Sequence, residues 1–167
     1  MMKIYVDMDG VLANFEKRYI ELFREAPDGP NSHRDKKEFS KNWEIFVGGK
    51  HFEDLDWWYG GPELVTYLGR NVPISDVEIL SSSGGNKYHA LVELQKKRWI
   101  ETFNLPEWKV NVVAGRKKKA EFATPDSILI DDTLDVIQAF RAAGGIGIHH
   151  KDIGNTLMLL DIYLQKA

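Results

Sequence analysis

Lys3-Ile4-Tyr5-Val6-Asp7-Met8-Asp9-Gly10-Val11 sets a short, mostly apolar run directly against two carboxylates and a glycine. A run this short and rich in Ile and Val is the pattern of a strand buried on both faces. The pattern returns at residues 77–80, 110–114, 127–130 and 146–148, each bounded by turn-forming residues. Between the second and third runs, Tyr88, Leu91, Val92, Trp99 and Phe103 fall mostly at helical spacing, in a stretch that stops before Asn104-Leu105-Pro106. Leu134, Ile137 and Phe140 form a second stripe ending at Gly144-Gly145, and Leu157, Leu160 and Leu164 predict a closing helix after Gly154-Asn155. Strands alternating with helices in this way predict an α/β fold with a parallel sheet and right-handed crossovers.

One interval breaks the rhythm: the 70 residues between positions 6 and 77 are far more than one crossover helix needs. A small cap is expected there, between about residues 15 and 59. Within it, residues 14–25 read as a helix and Pro27-Asp28-Gly29-Pro30-Asn31-Ser32 as a loop. The remainder reads as irregular until a helix opened by Pro62. No internal repeat or low-complexity segment is visible.

The 167 residues, 43% apolar and 28% charged, predict a single globular domain over 1–167. A chain of this length buries roughly 70% of the surface its unfolded form exposes, enough for a full core without staples. It contains no cysteine, which excludes disulfides, thiolate nucleophiles and cysteine-held zinc or iron–sulfur centres. Lys plus Arg number 22 against 25 Asp plus Glu, a net charge of −3 that argues against a nucleic acid polymer as partner. No apolar leader follows Met1 and no window approaches 18 apolar residues, so no membrane partner and a cytoplasmic location are expected. The oligomeric state is open, a homodimer included.

The chemistry concentrates at strand ends. Ligands of open α/β sheets bind at the carboxyl ends of the strands, which is where Asp7 and Asp9 follow the first run and Asp131 and Asp132 follow the fourth. Carboxylates converging on one crevice repel one another, and a divalent cation relieves that repulsion. Oxygen-only ligands favour Mg²⁺ over zinc, and Mg²⁺ commonly takes a phosphate oxygen as a further ligand. Ser81-Ser82-Ser83-Gly84-Gly85 after the second run offers hydroxyls and loop amides to phosphoryl oxygens. Arg116-Lys117-Lys118-Lys119 after the third offers an ammonium to neutralise charge at the reacting group. Taken singly, each piece has a plainer reading as a turn, a flexible loop or a solvated charge run. All four in order at successive strand ends favour catalysis on a phosphate.

At these residues the chain resembles the haloacid dehalogenase (HAD) superfamily of phosphohydrolases, whose four motifs match Asp7-Met8-Asp9-Gly10-Val11, the serine after the second run, Lys119 and Asp131-Asp132. Val6 through Glu16, Lys87-Tyr88 with Arg98-Trp99, and Leu129-Ile130-Asp131-Asp132 narrow the resemblance to the 5′(3′)-deoxyribonucleotidase family. The similarity runs from end to end and is thinnest across the cap. It implies a HAD-like Rossmannoid three-layer fold with a central parallel sheet and a small, mainly helical cap inserted after the first strand. It further implies a Mg²⁺-dependent phosphomonoesterase acting on deoxyribonucleoside 5′- or 3′-monophosphates, a small-molecule nucleotide substrate. Asp7 would be the nucleophile that forms an aspartyl-phosphate, and Asp9 the acid and then the base. The cation would be held by Asp7, the backbone carbonyl of Asp9 and one of Asp131 and Asp132, with Asp132 favoured. Ser82 would bind the phosphoryl group with Ser83 beside it, and Lys119 would bridge nucleophile and phosphate; Ser81 and Lys118, one residue away, are the alternatives in register.

Seven of the 21 residues from 39 to 59 are aromatic, Trp43 among them, against 11% overall. Flat rings beside a phosphate site can stack a nucleobase, although a small cap also needs rings for its own core. Phe15 is expected to line the pocket, since the resembling family has an aromatic there. His149-His150 reads as a strand end, because adjacent strand residues point to opposite faces, and His33, His51 and His89 as surface or structural residues. The rival readings are a phosphatase for another small ester, such as a sugar phosphate, and a non-catalytic domain that binds cation and phosphate.

Overall fold

The computed structural model describes residues 2–27 and 36–165. Five parallel strands, β1 (Lys3–Val6), β2 (Val77–Ser82), β3 (Lys109–Val113), β4 (Ser127–Asp131) and β5 (Ile146–His149), form one sheet in the order β3-β2-β1-β4-β5. The register pairs Val6 with Ile79 on one side and with Ile130 on the other. After β1 the chain builds outward through β2 and β3, then returns to the far side of β1 for β4 and β5. Strand order therefore reverses between β1 and β4, the place where open α/β sheets form their ligand crevice.

Among the described residues six α-helices accompany the sheet: α1 (Phe15–Phe23), α2 (Lys36–Gly48), α3 (Gly61–Asn71), α4 (His89–Thr102), α5 (Leu134–Ala142) and α6 (Ile153–Gln165). The two-residue period of the strands divides their side chains between two cores. Ile4, Val6, Val77, Ile79, Ile128 and Ile130 join Leu64 and Leu68 of α3, Val92 and Trp99 of α4 and Leu160 of α6. Leu80 and Leu129 face the other way and join Val136, Ile137 and Phe140 of α5. The result is the expected three-layer α/β architecture, helices on both faces of a central parallel sheet.

The interval between β1 and α3 departs from the sequence reading. Asn14 caps α1, its Oδ1 accepting the amide of Lys17 at 3.0 Å, and the helix ends at Arg24 in left-handed conformation. The stretch expected to be irregular contains α2, thirteen residues long, followed by a 3₁₀ turn at His51–Asp54. Phe39, Trp43, Phe46 and Val47 lie at helical spacing, and that stripe packs on Phe15, Tyr19 and Phe52. Asn42 Nδ2 donates to Tyr19 Oη at 3.1 Å, tying α2 to α1. Most of the loop expected at 27–32, and His33 with it, lies outside the described residues. Pro62 opens α3 as expected. Among the described residues no helix is long and apolar enough to cross a membrane.

Candidate active site

β1 and β4 lie side by side, so their carboxyl ends bring Asp7 and Asp131 together; the amide of Asp7 donates to the carbonyl of Ile130 at 3.0 Å. Both side chains are buried. Immediately after Asp7 the chain reverses: the Met8 carbonyl accepts the amides of Val11, Leu12 and Ala13 at 3.2, 2.8 and 2.9 Å. Gly10 makes this turn at φ +81°, and a Cβ there would run into the Asp132 carboxylate.

Asp7, Asp131 and Asp132 each present a carboxylate oxygen, all within 4.8 Å of one another. Burial, with repulsion from Asp131, holds the Asp7 carboxyl well above the usual carboxylate range. Asp132 reaches solvent, yet its carboxyl sits in the crevice and is pushed up to about 7 by desolvation and then by Asp131. Three hard oxygen donors that resist ionising together are a donor set that fits Mg²⁺, whose charge relieves the conflict. The carboxylate of Asp9 stands outside this trio and pairs with Lys96 at 3.1 Å.

Lys119 comes from the 3₁₀ helix Arg116–Phe122 and is buried, with its Nζ 3.0 Å from Asp7 Oδ1 and 2.7 Å from Asp131 Oδ2. Burial pulls its pKa down, but the two carboxylates outweigh burial and raise it, so the ammonium stays charged. Lys118, its neighbour in register, is exposed and away from the crevice. Asp131 Oδ1 accepts the amide of Thr133 at 2.9 Å, so both oxygens of Asp131 already have donors. Among the described residues, Asp132 Oδ1 meets only the Thr133 hydroxyl, at 3.3 Å.

β2 runs two residues further than the apolar run suggests, and its alternation separates the serines. Ser81 is fully buried and its Oγ lies 2.5 Å from Lys96 Nζ. Ser82 lines the crevice and its Oγ accepts the amide of Gly84 at 3.1 Å, which leaves its proton to donate. Ser83 borders the crevice but is committed to the loop: its Oγ lies 3.0 Å from the Gly85 carbonyl and 2.7 Å from His89 Nδ1.

Asp7, Asp9, Asp131, Asp132, Lys119 and Ser82 line one crevice of about 680 Å³, large enough for a small phosphate ester. Phe15 and Trp43 both border it, their ring centroids 5.9 Å apart. Of the other aromatics between 39 and 59, Phe39 and Trp58 also border it. Phe46 and Phe52 are buried, Trp57 packs on Trp99 and Phe103, and Tyr59 is exposed, so the cap's own core takes part of the set. His149 and His150 diverge, Nε2 of the first meeting the Asp132 carbonyl at 3.0 Å and Nδ1 of the second meeting Thr156 Oγ1 at 2.6 Å.

Lys96 was not singled out by sequence reasoning, although a signal exists: it falls on the stripe Val92, Gln95, Trp99 that α4 buries. Arg116 at the crevice rim, paired with Asp135 at 2.8 Å, carried no signal beyond its place in a basic run.

No family model matches the sequence, and no curated protein matches it. Solved structures do. The structure of a hydrolase from Streptococcus pneumoniae TIGR4 superposes with a TM-score of 0.52 at 15% identity, covering 96% of this chain and 98% of that one. A hydrolase from Pseudomonas syringae gives a TM-score of 0.49 at 14% identity over 93% of this chain and 88% of that one. A HAD-family enzyme from Bacteroides thetaiotaomicron, solved with magnesium and inorganic phosphate, gives 0.42 at 13% identity over 90% and 94%. The Streptococcus pneumoniae structure shows that this chain shares its fold with a hydrolase over nearly the full length of both.

Proposed function

We propose that the chain is a Mg²⁺-dependent phosphomonoesterase of the HAD type that works through an aspartyl-phosphate on Asp7, with deoxyribonucleoside monophosphates as its substrates. One observation carries the reading: Asp7, Asp131 and Asp132 meet at the sheet's switch point with the Lys119 ammonium between two of them.

Asp7, Asp132 and the backbone carbonyl of Asp9 would hold the cation, with Asp131 behind them fixed by Lys119 and Thr133. When bound, Mg²⁺ offsets the crowded negative charge and draws electron density from the phosphoryl oxygens. The remaining work belongs to the chain. The Asp7 carboxylate attacks phosphorus and the bond to the leaving oxygen breaks. Lys119, already on Asp7, balances charge on the transferring group, and the Ser82 hydroxyl donates to a phosphoryl oxygen. Asp9 gives its proton to the leaving oxygen, then takes one from the water that hydrolyses the aspartyl-phosphate. Phe15 and Trp43, at the cap side of the crevice, supply a flat apolar wall suited to a base. A non-catalytic cation-binding domain would have no use for Asp9 beside the trio, or for a crevice with an aromatic wall.

Steady-state assays with Mg²⁺ against a panel of monophosphates test the reading. Turnover of dUMP and dTMP well above that of sugar phosphates is expected. Rapid turnover of a phosphosugar with poor turnover of both nucleotides would transfer the same chemistry to another ester. Loss of most turnover in Asp9→Asn separates an enzyme from a binding domain.

A further inference from the structure

Lys96 is fully buried on α4, and the chemistry described above does not use it. Burying an ammonium is costly unless its charge and protons are satisfied. Here all three protons have acceptors: Asp9 Oδ2 at 3.1 Å, Ser81 Oγ at 2.5 Å and the Ser82 carbonyl at 2.9 Å. The Phe52 ring stands 5.1 Å from Nζ on a further side. An apolar side chain between Val92 and Trp99 would serve the core as well or better, so packing alone does not account for a lysine here.

The acceptors share one feature: each stands at the carboxyl end of the sheet beside the crevice. Two come from the end of β2 and the third from the turn after β1. Lys96 therefore ties the carboxylate of Asp9 to the strand end that presents Ser82. It holds only Oδ2. Asp9 Oδ1 is buried and has no hydrogen-bond partner among the described residues. The Asp9 side chain also lines the crevice, so its anchor on Lys96 sets where the carboxyl group stands there.

We propose that Lys96 is the positioning residue for Asp9, anchoring its carboxyl group to α4 and β2 at the edge of the crevice, where it serves the leaving oxygen of the ester. The proposal rests on the phosphatase reading and deepens it. In the step it serves, the bond from phosphorus to the leaving oxygen breaks, and the proton on the Asp9 carboxyl group passes to that oxygen. Lys96 touches neither substrate nor reacting atoms, so its effect follows how badly the leaving group needs that proton.

The test compares kcat/KM, which reports on steps up to the first irreversible one, for an alkyl phosphate and for p-nitrophenyl phosphate with Mg²⁺ present. The alkyl ester is the faster of dUMP and glucose 6-phosphate. p-Nitrophenolate departs without a proton, whereas an alkoxide does not. Lys96→Met is expected to lose about 100-fold on the alkyl ester and only a few-fold on p-nitrophenyl phosphate, the size and bias of a lost general acid. The Asp9→Asn/Lys96→Met double variant is expected to be no slower on the alkyl ester than Asp9→Asn alone. Ser81→Ala keeps the lysine and removes one anchor, so it carries the test if Lys96→Met does not fold; a smaller loss with the same ester bias is expected. Equal losses on the two esters, or a double variant slower by the product of the single effects, would overturn the proposal while leaving the phosphatase reading in place. Wild-type protein inactive on both esters would overturn both.

Discussion

Gly10 and Asp132 stand so close that any side chain on residue 10 would collide with the Asp132 carboxylate. The turn after β1 and the end of β4 are thus fitted to each other with no room for a methyl group. Gly10→Ala should cost about 1–2 kcal/mol in urea unfolding for the left-handed backbone alone. It should also displace Asp132 and weaken Mg²⁺ binding at least about ten-fold by calorimetric titration, a loss of roughly 1.4 kcal/mol. Unaltered Mg²⁺ affinity would mean that Asp132 does not hold the cation.

Lys119 and Lys118 are adjacent in the chain and opposite in surroundings, one buried between two carboxylates and the other exposed. Lys119→Ala should lower kcat by about 100-fold or more, the usual loss when a charge-stabilising donor is removed. Lys118→Ala should retain nearly all activity. The reverse pattern would contradict the assignment.

Much of this arrangement is legible in the sequence because burial on both faces writes itself as short Ile- and Val-rich runs. All five runs became strands, and the carboxylates at the ends of the first and fourth met because those two strands are neighbours. The helix α2 was less legible. Its stripe of Phe39, Trp43, Phe46 and Val47 is set among polar residues, and its apolar face has meaning only against Phe15 and Phe52, brought there by the fold. That Ser81 is buried while Ser82 lines the crevice follows from strand alternation continuing past Leu80 through polar residues, where hydrophobicity no longer marks it. Lys96 could not be assigned from residue type, since a lysine on a buried stripe declares its partners only once Asp9 and Ser81 stand beside it.

Trp43 borders the crevice next to Phe15 and in contact range of Gly84, where a Cβ would lie 3.2 Å from its ring. If it stacks a base, Trp43→Ala should raise KM for dUMP by about ten-fold, in line with roughly 1–3 kcal/mol for one stacked base. 2-Deoxyribose 5-phosphate, which has no base, should lose far less. Equal losses on the two compounds would remove Trp43 from base recognition.

Acid stability should carry a signature of His150, whose pKa is lowered by burial, against the opposing charge of Asp152. Its Nε2 is buried with no partner among the described residues. The unfolded chain therefore takes up this proton first on acidification. The stability it contributes is present above about pH 6.5 and is lost as pH falls below that value toward the folded pKa. Between pH 7 and 5, wild-type stability in urea should fall more steeply than that of His150→Asn, by at most about 1.4 kcal/mol per pH unit for one proton. Parallel pH profiles for the two proteins would contradict this.

In the proposed mechanism Asp7 carries the phosphoryl group, and acid quenching during turnover reads that directly. With Mg²⁺ and dUMP labelled with ³²P in its phosphate, wild-type protein quenched within the first turnovers should carry acid-stable, alkali-labile label that peptide mapping places on Asp7, and Asp7→Asn should carry none. Hydrolysis of dUMP at an undiminished rate by Asp7→Asn, or label mapped to any other residue, would contradict it.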